Sequence, residues 1–398
     1  MGERATPRLL RAVRACHTRR MRRCLLSVAL LSAMVIACSA PQAAISECGE
    51  ARDFVVAMSD YASSGVASLR VSDGAQESRF GVDLGKDPQL SRSRDRIFLL
   101  ARDQDVVFEL DAACGAPIAK TSLHDESARG IQNPQDVALD AKGAMWVPRF
   151  NDGTLLVVHG NERHVVPLAA YDDDKNPQPS AVRVVDTPRG ERAFVALERL
   201  DTDLVSRRPS ALLEIDTSTR EVVGTHVLLG RNPFGAMTEH MGALYLAEPG
   251  NFDTADETAA GIERFDPRSG TSELLFRETD LGGSVTELAF RDTCGVAIVA
   301  DPVKNVNATR LVAFDLRGTP NVVQKGASSP LATAGYDLQG LAVHGSTLLV
   351  GDRRKSASGT YAVHTFEIGA DCILTRREAP LSLPQKPVAF RTAQQVTR

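Results

Sequence analysis

Cysteine is scarce in this 398-residue chain and never clustered. There are seven, with no Cys-x-x-Cys and no Cys/His grouping, which excludes the usual zinc site. Other signatures of chemistry are missing too. The eight His include no HExxH pair, and Gly282-Gly283-Ser284-Val285-Thr286 has the wrong frame for a nucleophile elbow. Gly81 to Lys86 falls one residue short of a phosphate-binding loop and lacks its Ser or Thr. Long amphipathic helices are absent, and no apolar run reaches the roughly 20 residues a membrane-spanning helix needs. A basic face is lacking as well. The formal charge is −4, and residues 1–23 hold eight Arg against one Glu, leaving an acidic body that suits nucleic acid poorly. What remains is 43% hydrophobic and 24% charged, a composition that folds rather than stays disordered.

The first forty residues are an address. Leu25 to Ala37 is a charge-free stretch of thirteen residues behind Arg19, Arg20, Arg22 and Arg23, the basic and apolar regions of a secretory signal. Met21, directly before Arg22-Arg23, is the alternative start. The stretch ends in Val35-Ile36-Ala37-Cys38-Ser39, which resembles the bacterial lipoprotein box. That resemblance implies a lipid on Cys38, and Ser39 implies sorting to the outer membrane; ordinary cleavage after Ala40 is the other reading. The expected organisation is a signal over 1–37, a lipidated linker over 38–52, a folded body over 53–392 and a tail over 393–398. Once Cys16, Cys24 and Cys38 are set aside, Cys48, Cys114, Cys294 and Cys372 remain, an even number that suggests two disulfides in an oxidising compartment, with three connectivities open.

From Phe54 onward, short β-rich runs alternate with clusters of Gly, Pro, Asp and Asn, the pattern of an all-β protein. Seven runs end on a polar residue at one equivalent point: Asp60, Asp103, Arg149, Glu198, Glu248, Asp301 and Asp352. A polar loop and a second run follow each, and a third run precedes most. Seven such copies predict a seven-bladed β-propeller. Segments 133–147 and 299–315 resemble NHL-type propeller repeats, and 214–236 is similar to the YVTN-type surface-protein repeat. The first copy lacks its innermost strand, and Lys386-Pro387-Val388-Ala389-Phe390 matches that strand's pattern, so the C-terminus is expected to close blade 1. The same bookkeeping sets Cys48 beside Cys114 and Cys294 beside Cys372, each pair one blade apart.

Function is written far less clearly. The seven run-ending residues are expected on one face near the central channel, with Asn251 and Asn307 close by. Clustered carboxylates and amides suit a hard cation. The arrangement resembles gluconolactonase-type propellers, which implies one calcium or other divalent ion and hydrolysis of a lactone or ester. The bland alternative is that each acid caps its own turn. The run Asp172-Asp173-Asp174-Lys175-Asn176 suggests a calcium loop, but Pro177 and Arg183 replace the Gly and Glu it requires, leaving a solvated loop. Long loops carry Arg207, Arg208, Arg353, Arg354 and Lys355 toward Asp253, Asp256 and Glu257, a surface that suits a protein or glycan partner. The favoured reading is a monomeric, non-catalytic, lipid-anchored binding scaffold of the cell envelope without a cofactor, with the metal-dependent hydrolase as the alternative.

Overall fold

The computed structural model describes residues 52–74, 76–126, 130–252, 257–301, 308–377 and 379–393. Its strands form seven antiparallel sheets, six of four strands and one of five, arranged as the blades of a propeller. The innermost strands, in blade order, are Pro387–Thr392, Pro88–Ser93, Ala138–Leu139, Pro179–Thr187, Thr238–His240, Ser284–Arg291 and Leu338–His344. Beside them lie the second strands Phe54–Ser59, Arg96–Ala101, Met145–Arg149, Gly190–Leu197, Ala243–Glu248, Cys294–Asp301 and Thr347–Lys355. Three innermost strands begin with Pro, which tolerates a strand's first position because no ladder donor is needed there.

One turn recurs between third and fourth strands and makes the copies recognisable. Asp111, Asp216, Asp266 and Asp315 each accept a bond from the backbone N–H two residues on, at 2.7–2.9 Å. In the first three, the residue four positions after the Asp turns left-handed: Gly115, Arg220 and Gly270, with φ of 71°, 64° and 72°. An Asx-turn closed by a left-handed residue lets the hairpin form without borrowing from its neighbours.

The second strands are the most deeply buried. Phe54–Ser59 and Ala243–Glu248 have no exposed residue, because both faces of a blade are covered by neighbouring blades. The buried apolar side chains among the described residues gather in seven clusters, one at each blade–blade interface. There is thus no single core but a ring of equivalent seams.

The ring closes as the sequence predicts. Pro387–Thr392 pairs antiparallel with Phe54–Ser59, from Phe54 opposite Thr392 to Met58 opposite Pro387. Phe390, fully buried, fills the seam between blades 7 and 1 beside Phe54, Met58, Leu349 and Val363. It packs over Gly340, whose φ is +88° and where a Cβ would lie 2.2 Å from the Phe390 ring. Only glycine meets both conditions.

The Cys294–Cys372 disulfide forms as expected, joining blades 6 and 7 across 78 residues, with Cys294 the first residue of its strand. Cys114 is also disulfide-bonded. Its expected partner, Cys48, lies outside the described residues, as do Cys38 and Asn307. The chain enters close to Cys114, since the Arg52 N–H donates to the carbonyl of Ala113 at 3.2 Å.

Two outcomes follow. Phe390→Ala is expected to cost about 3–5 kcal/mol in urea unfolding, and truncation after Ser382 to abolish the cooperative transition; an unchanged midpoint in the truncated chain contradicts closure. Peptide mapping without reductant is expected to recover Cys48–Cys114 beside Cys294–Cys372, and any other partner for Cys114 overturns the pairing.

Candidate functional site

The innermost strands surround a central cavity of about 1090 Å³. At the mouth where the second strands end, Tyr61, Arg102, Phe150, Glu198 and Arg353 line it, each at or just after the end of a second strand or, for Arg353, within its last turns. Gln89, Gln135 and Gln339, near the starts of innermost strands, lie between them. The Arg102 guanidinium donates to Gln135 Oε1 at 2.8 Å and pairs with Asp87 at 2.7 Å. Arg353 donates to Gln339 Oε1 at 2.7 Å and lies over the Tyr61 ring, 5.6 Å from its centroid. Two guanidiniums are therefore held in fixed orientation by side-chain amides, with aromatic faces beside them.

The predicted ring of acids is spread differently. Of the seven run-ending residues only Glu198 lines the cavity. In blades 1, 2, 3 and 7 the lining residue is the immediate neighbour instead: Tyr61 beside Asp60, Arg102 beside Asp103, Phe150 beside Arg149, and Arg353 beside Asp352. Successive side chains of an extended chain point to opposite sides, so a displacement of one residue exchanges channel for loop. The residues set aside in this way are occupied locally. Asp60 accepts from the N–H groups of Ala62 and Ser63 at 3.0 and 2.8 Å, and Asp103 from those of Lys86 and Asp87 at 2.9 and 3.3 Å. Arg149, buried, donates to Thr154 Oγ1 at 2.8 Å and pairs with Asp152 at 3.0 Å. Asp301 lies 3.5 Å from Arg310. Burial pushes the Asp352 carboxyl up, but bonds from His364 (3.0 Å) and Arg354 (2.7 Å) outweigh it and hold the group well below the ordinary range. Asn251 bonds both backbone groups of Ser206 at 2.8 and 3.0 Å.

Glu248 is the exception. It is fully buried, and neither of its oxygens has a hydrogen-bond partner. Burial and then the charge of Glu263 raise its carboxyl far above the ordinary range. Glu263, also fully buried, accepts from Leu229 and Gly230 through one oxygen at 2.8 and 2.7 Å, and its other oxygen is unpaired. One proton on Glu248 satisfies an orphan oxygen on each residue. Among the described residues, no group of three or more His, Cys, Asp or Glu is arranged to hold a metal ion, so the divalent-ion site does not fit the donors present there.

The loop at 172–176 is solvated at Asp173, Asp174 and Lys175 as expected, with one correction. Asp172 of that loop is buried, in ion pairs with Arg208 and with Arg199 at 3.6 Å. Of the acids expected to face the loop arginines, Asp253 and Asp256 lie outside the described residues; Arg207 pairs with Asp201 and Asp203, Arg354 with Asp352, and Glu257 with Arg231.

Deeper in the channel, burial pushes the Glu287 carboxyl up to about 7, although it accepts from the N–H groups of Gly340 (2.7 Å) and Leu341 (3.0 Å). That pair of bonds ties blade 6 to blade 7. Burial and the Glu287 charge together push the nearby Tyr336 phenol up to about 12. Glu198 is pushed up to about 8 by burial alone. Glu198 was among the expected residues, but Glu287 and Tyr336 were not legible beforehand, because nothing in a single strand's sequence says which of its polar residues a neighbouring blade will cover.

No family model matches the chain, and no curated protein matches it in sequence. Solved structures do. A catalytically inactive virginiamycin B lyase from Staphylococcus aureus with quinupristin is 10% identical, with a TM-score of 0.50 over 77% of this chain and 92% of that one. Apo AztD from Citrobacter koseri is 13% identical, with a TM-score of 0.49 over 85% of this chain and 98% of that one. Dihydro-heme d1 dehydrogenase NirN is 11% identical, with a TM-score of 0.49 over 85% of this chain and 67% of that one. At such identities the likeness is one of fold.

The Glu198 carboxyl titrates near 8 in the fold against an ordinary 4.5, so the folded state favours its protonated form. Its contribution is complete below about pH 4.5 and is lost as pH rises toward 8. Glu198→Gln is expected to flatten the fall in urea-unfolding free energy between those limits by up to about 5 kcal/mol, at about 1.4 kcal/mol per pKa unit. Parallel curves for both proteins contradict the assignment.

Proposed function

We propose that this propeller is an exported, lipid-anchored binding protein of the cell envelope, related to the NHL and YVTN repeat proteins, which takes a polar organic ligand into its central channel. The observation that carries the reading is the mouth: Arg102 and Arg353, each fixed by a glutamine amide, beside Tyr61 and Phe150 at the opening of an approximately 1090 Å³ cavity. A cavity of that size suits a small organic molecule. Rigid guanidinium forks bind carbonyl or oxyanion groups, and aromatic faces bind a ring or an apolar edge. Pre-orientation by Gln135 and Gln339 lowers the ordering cost on binding. The lipid on Cys38 is the anchor this reading requires.

The test is native mass spectrometry of the mature protein with small-molecule envelope extracts, followed by titration of what binds. A ligand is expected to be retained at one equivalent, and Arg353→Ala to weaken it about 10-fold or more, as loss of a charged hydrogen bond worth about 1.5–3 kcal/mol demands. Cys38→Ser is expected to move the protein from the membrane to the soluble fraction. One equivalent of bound calcium, zinc or manganese together with turnover of a lactone panel overturns the non-catalytic reading in favour of a metal-dependent hydrolase.

A further inference from the structure

Three innermost strands begin with Pro, and each has Arg as its fifth residue: Arg391 in Pro387–Thr392, Arg92 in Pro88–Ser93 and Arg183 in Pro179–Thr187. All three line the channel. Arg183 is paired, with Asp136 at 2.6 Å. The other two are not. Arg92 donates to the carbonyl and hydroxyl of Thr392, at 2.6 and 2.7 Å, and to the carbonyl of Arg94 at 3.3 Å. Arg391 donates only to the carbonyl of Phe390, at 2.6 Å. Every one of these acceptors is neutral, and no carboxylate among the described residues lies within ion-pair distance of either guanidinium. Burial is the main influence on both groups and lowers the pKa of each; for Arg391 the charge of Arg183 adds to it.

Of the acids that face them, Asp95 acts on Arg92 only through its charge, from beyond ion-pair distance, and Asp136 and Glu287 are already committed. Asp136 takes Arg183 and the Val182 N–H through one oxygen and Ser91 and the Val137 N–H through the other. Both Glu287 oxygens are held by backbone N–H groups of blade 7. Glu239, nearer Arg183, is raised by burial. Two desolvated, unpaired cations from adjoining strands, with a third beside them, are costly in the empty protein. An oxyanion placed among them relieves that cost, and the guanidinium fork matches its geometry.

We propose that Arg92 and Arg391, backed by Arg183, form an oxyanion-binding subsite inside the channel, which receives the carboxylate or phosphoryl end of an organic ligand. The inference deepens the channel-binding reading and rests on the channel being open to solute, but not on the Arg102–Arg353 mouth. Between the two lie Leu341, Ala342 and Val388, so the ligand has a charged end and an apolar middle.

The experiment titrates the mature protein at low ionic strength with citrate and with inorganic phosphate, by calorimetry and by thermal unfolding. One anion equivalent is expected to bind and raise the melting temperature, citrate the more strongly for a carboxylate site and phosphate for a phosphoryl site. Arg391→Gln and Arg92→Gln are each expected to weaken that binding at least 10-fold, while Arg377→Gln, in an exposed ion pair with Glu367 away from the channel, leaves it within about twofold. In anion-free buffer Arg391→Gln is expected to melt no lower than the parent protein, because it removes an unpaired charge. Should it fail to fold, Arg92→Gln carries the test. No binding to the parent protein, or binding unchanged in both variants, overturns the subsite. Loss on Arg353→Gln instead returns the anion to the mouth, sinking this inference while sparing the channel-binding reading.

Discussion

The pairing of Pro387–Thr392 with Phe54–Ser59 is the contact on which every other depends. Each blade is a thin sheet that covers its apolar faces only with its two neighbours. With seven seams and no central core, an open ring leaves two sheets half-uncovered, and the loss is shared by the blades behind them. Closure turns a row into a circle in which every seam is equivalent. Phe390 and the glycines beneath it show how tightly the last seam is drawn. The Cys294–Cys372 bond, one blade back from that seam, adds the stabilisation of a long cross-linked loop, on the order of 2–4 kcal/mol.

Covering both faces of each sheet has a second effect. The outermost strands keep polar side chains in solvent, whereas those of the covered strands collect where blades meet or where innermost strands border the channel. There they serve as ties. Ser93 accepts the N–H of Leu139 through its hydroxyl, Asp136 joins Ser91 to Arg183, Ser180 donates to the carbonyl of Pro233, and Glu287 receives two N–H groups from blade 7. These bonds run around the channel from blade to blade. The same polar wall that holds the ring together presents arginines, amides and carboxyls to whatever enters it.

The architecture was legible in the sequence because it is written seven times. A degenerate repeat says little in one copy, but the Asx-turn at Asp111, Asp216, Asp266 and Asp315 and the buried runs between recur in step, so errors in single copies average out. The closing strand was legible for the same reason, as the one missing member of a series. The site is written once and had no such redundancy. Asp352 and Arg353 are neighbours in one strand, and which of them meets the channel turns on the register of its end. The sequence pattern chose the acids for their recurrence. The structure puts a tyrosine, two arginines and a phenylalanine at the mouth beside Glu198, residues that differ from blade to blade because a binding surface has no need to repeat. The unshared Glu248–Glu263 pair was likewise invisible, since their fifteen-residue separation carries no sign that the two carboxyls meet.

The two ends of the ring come within one hydrogen bond of each other: the Ala393 N–H donates to the carbonyl of Asp53 at 2.8 Å. Blade order along the polypeptide is therefore a matter of where the gene happens to start reading the circle. A chain reconnected across that gap and cut at an exposed inter-blade loop retains every seam, and the wheel it forms has no first blade.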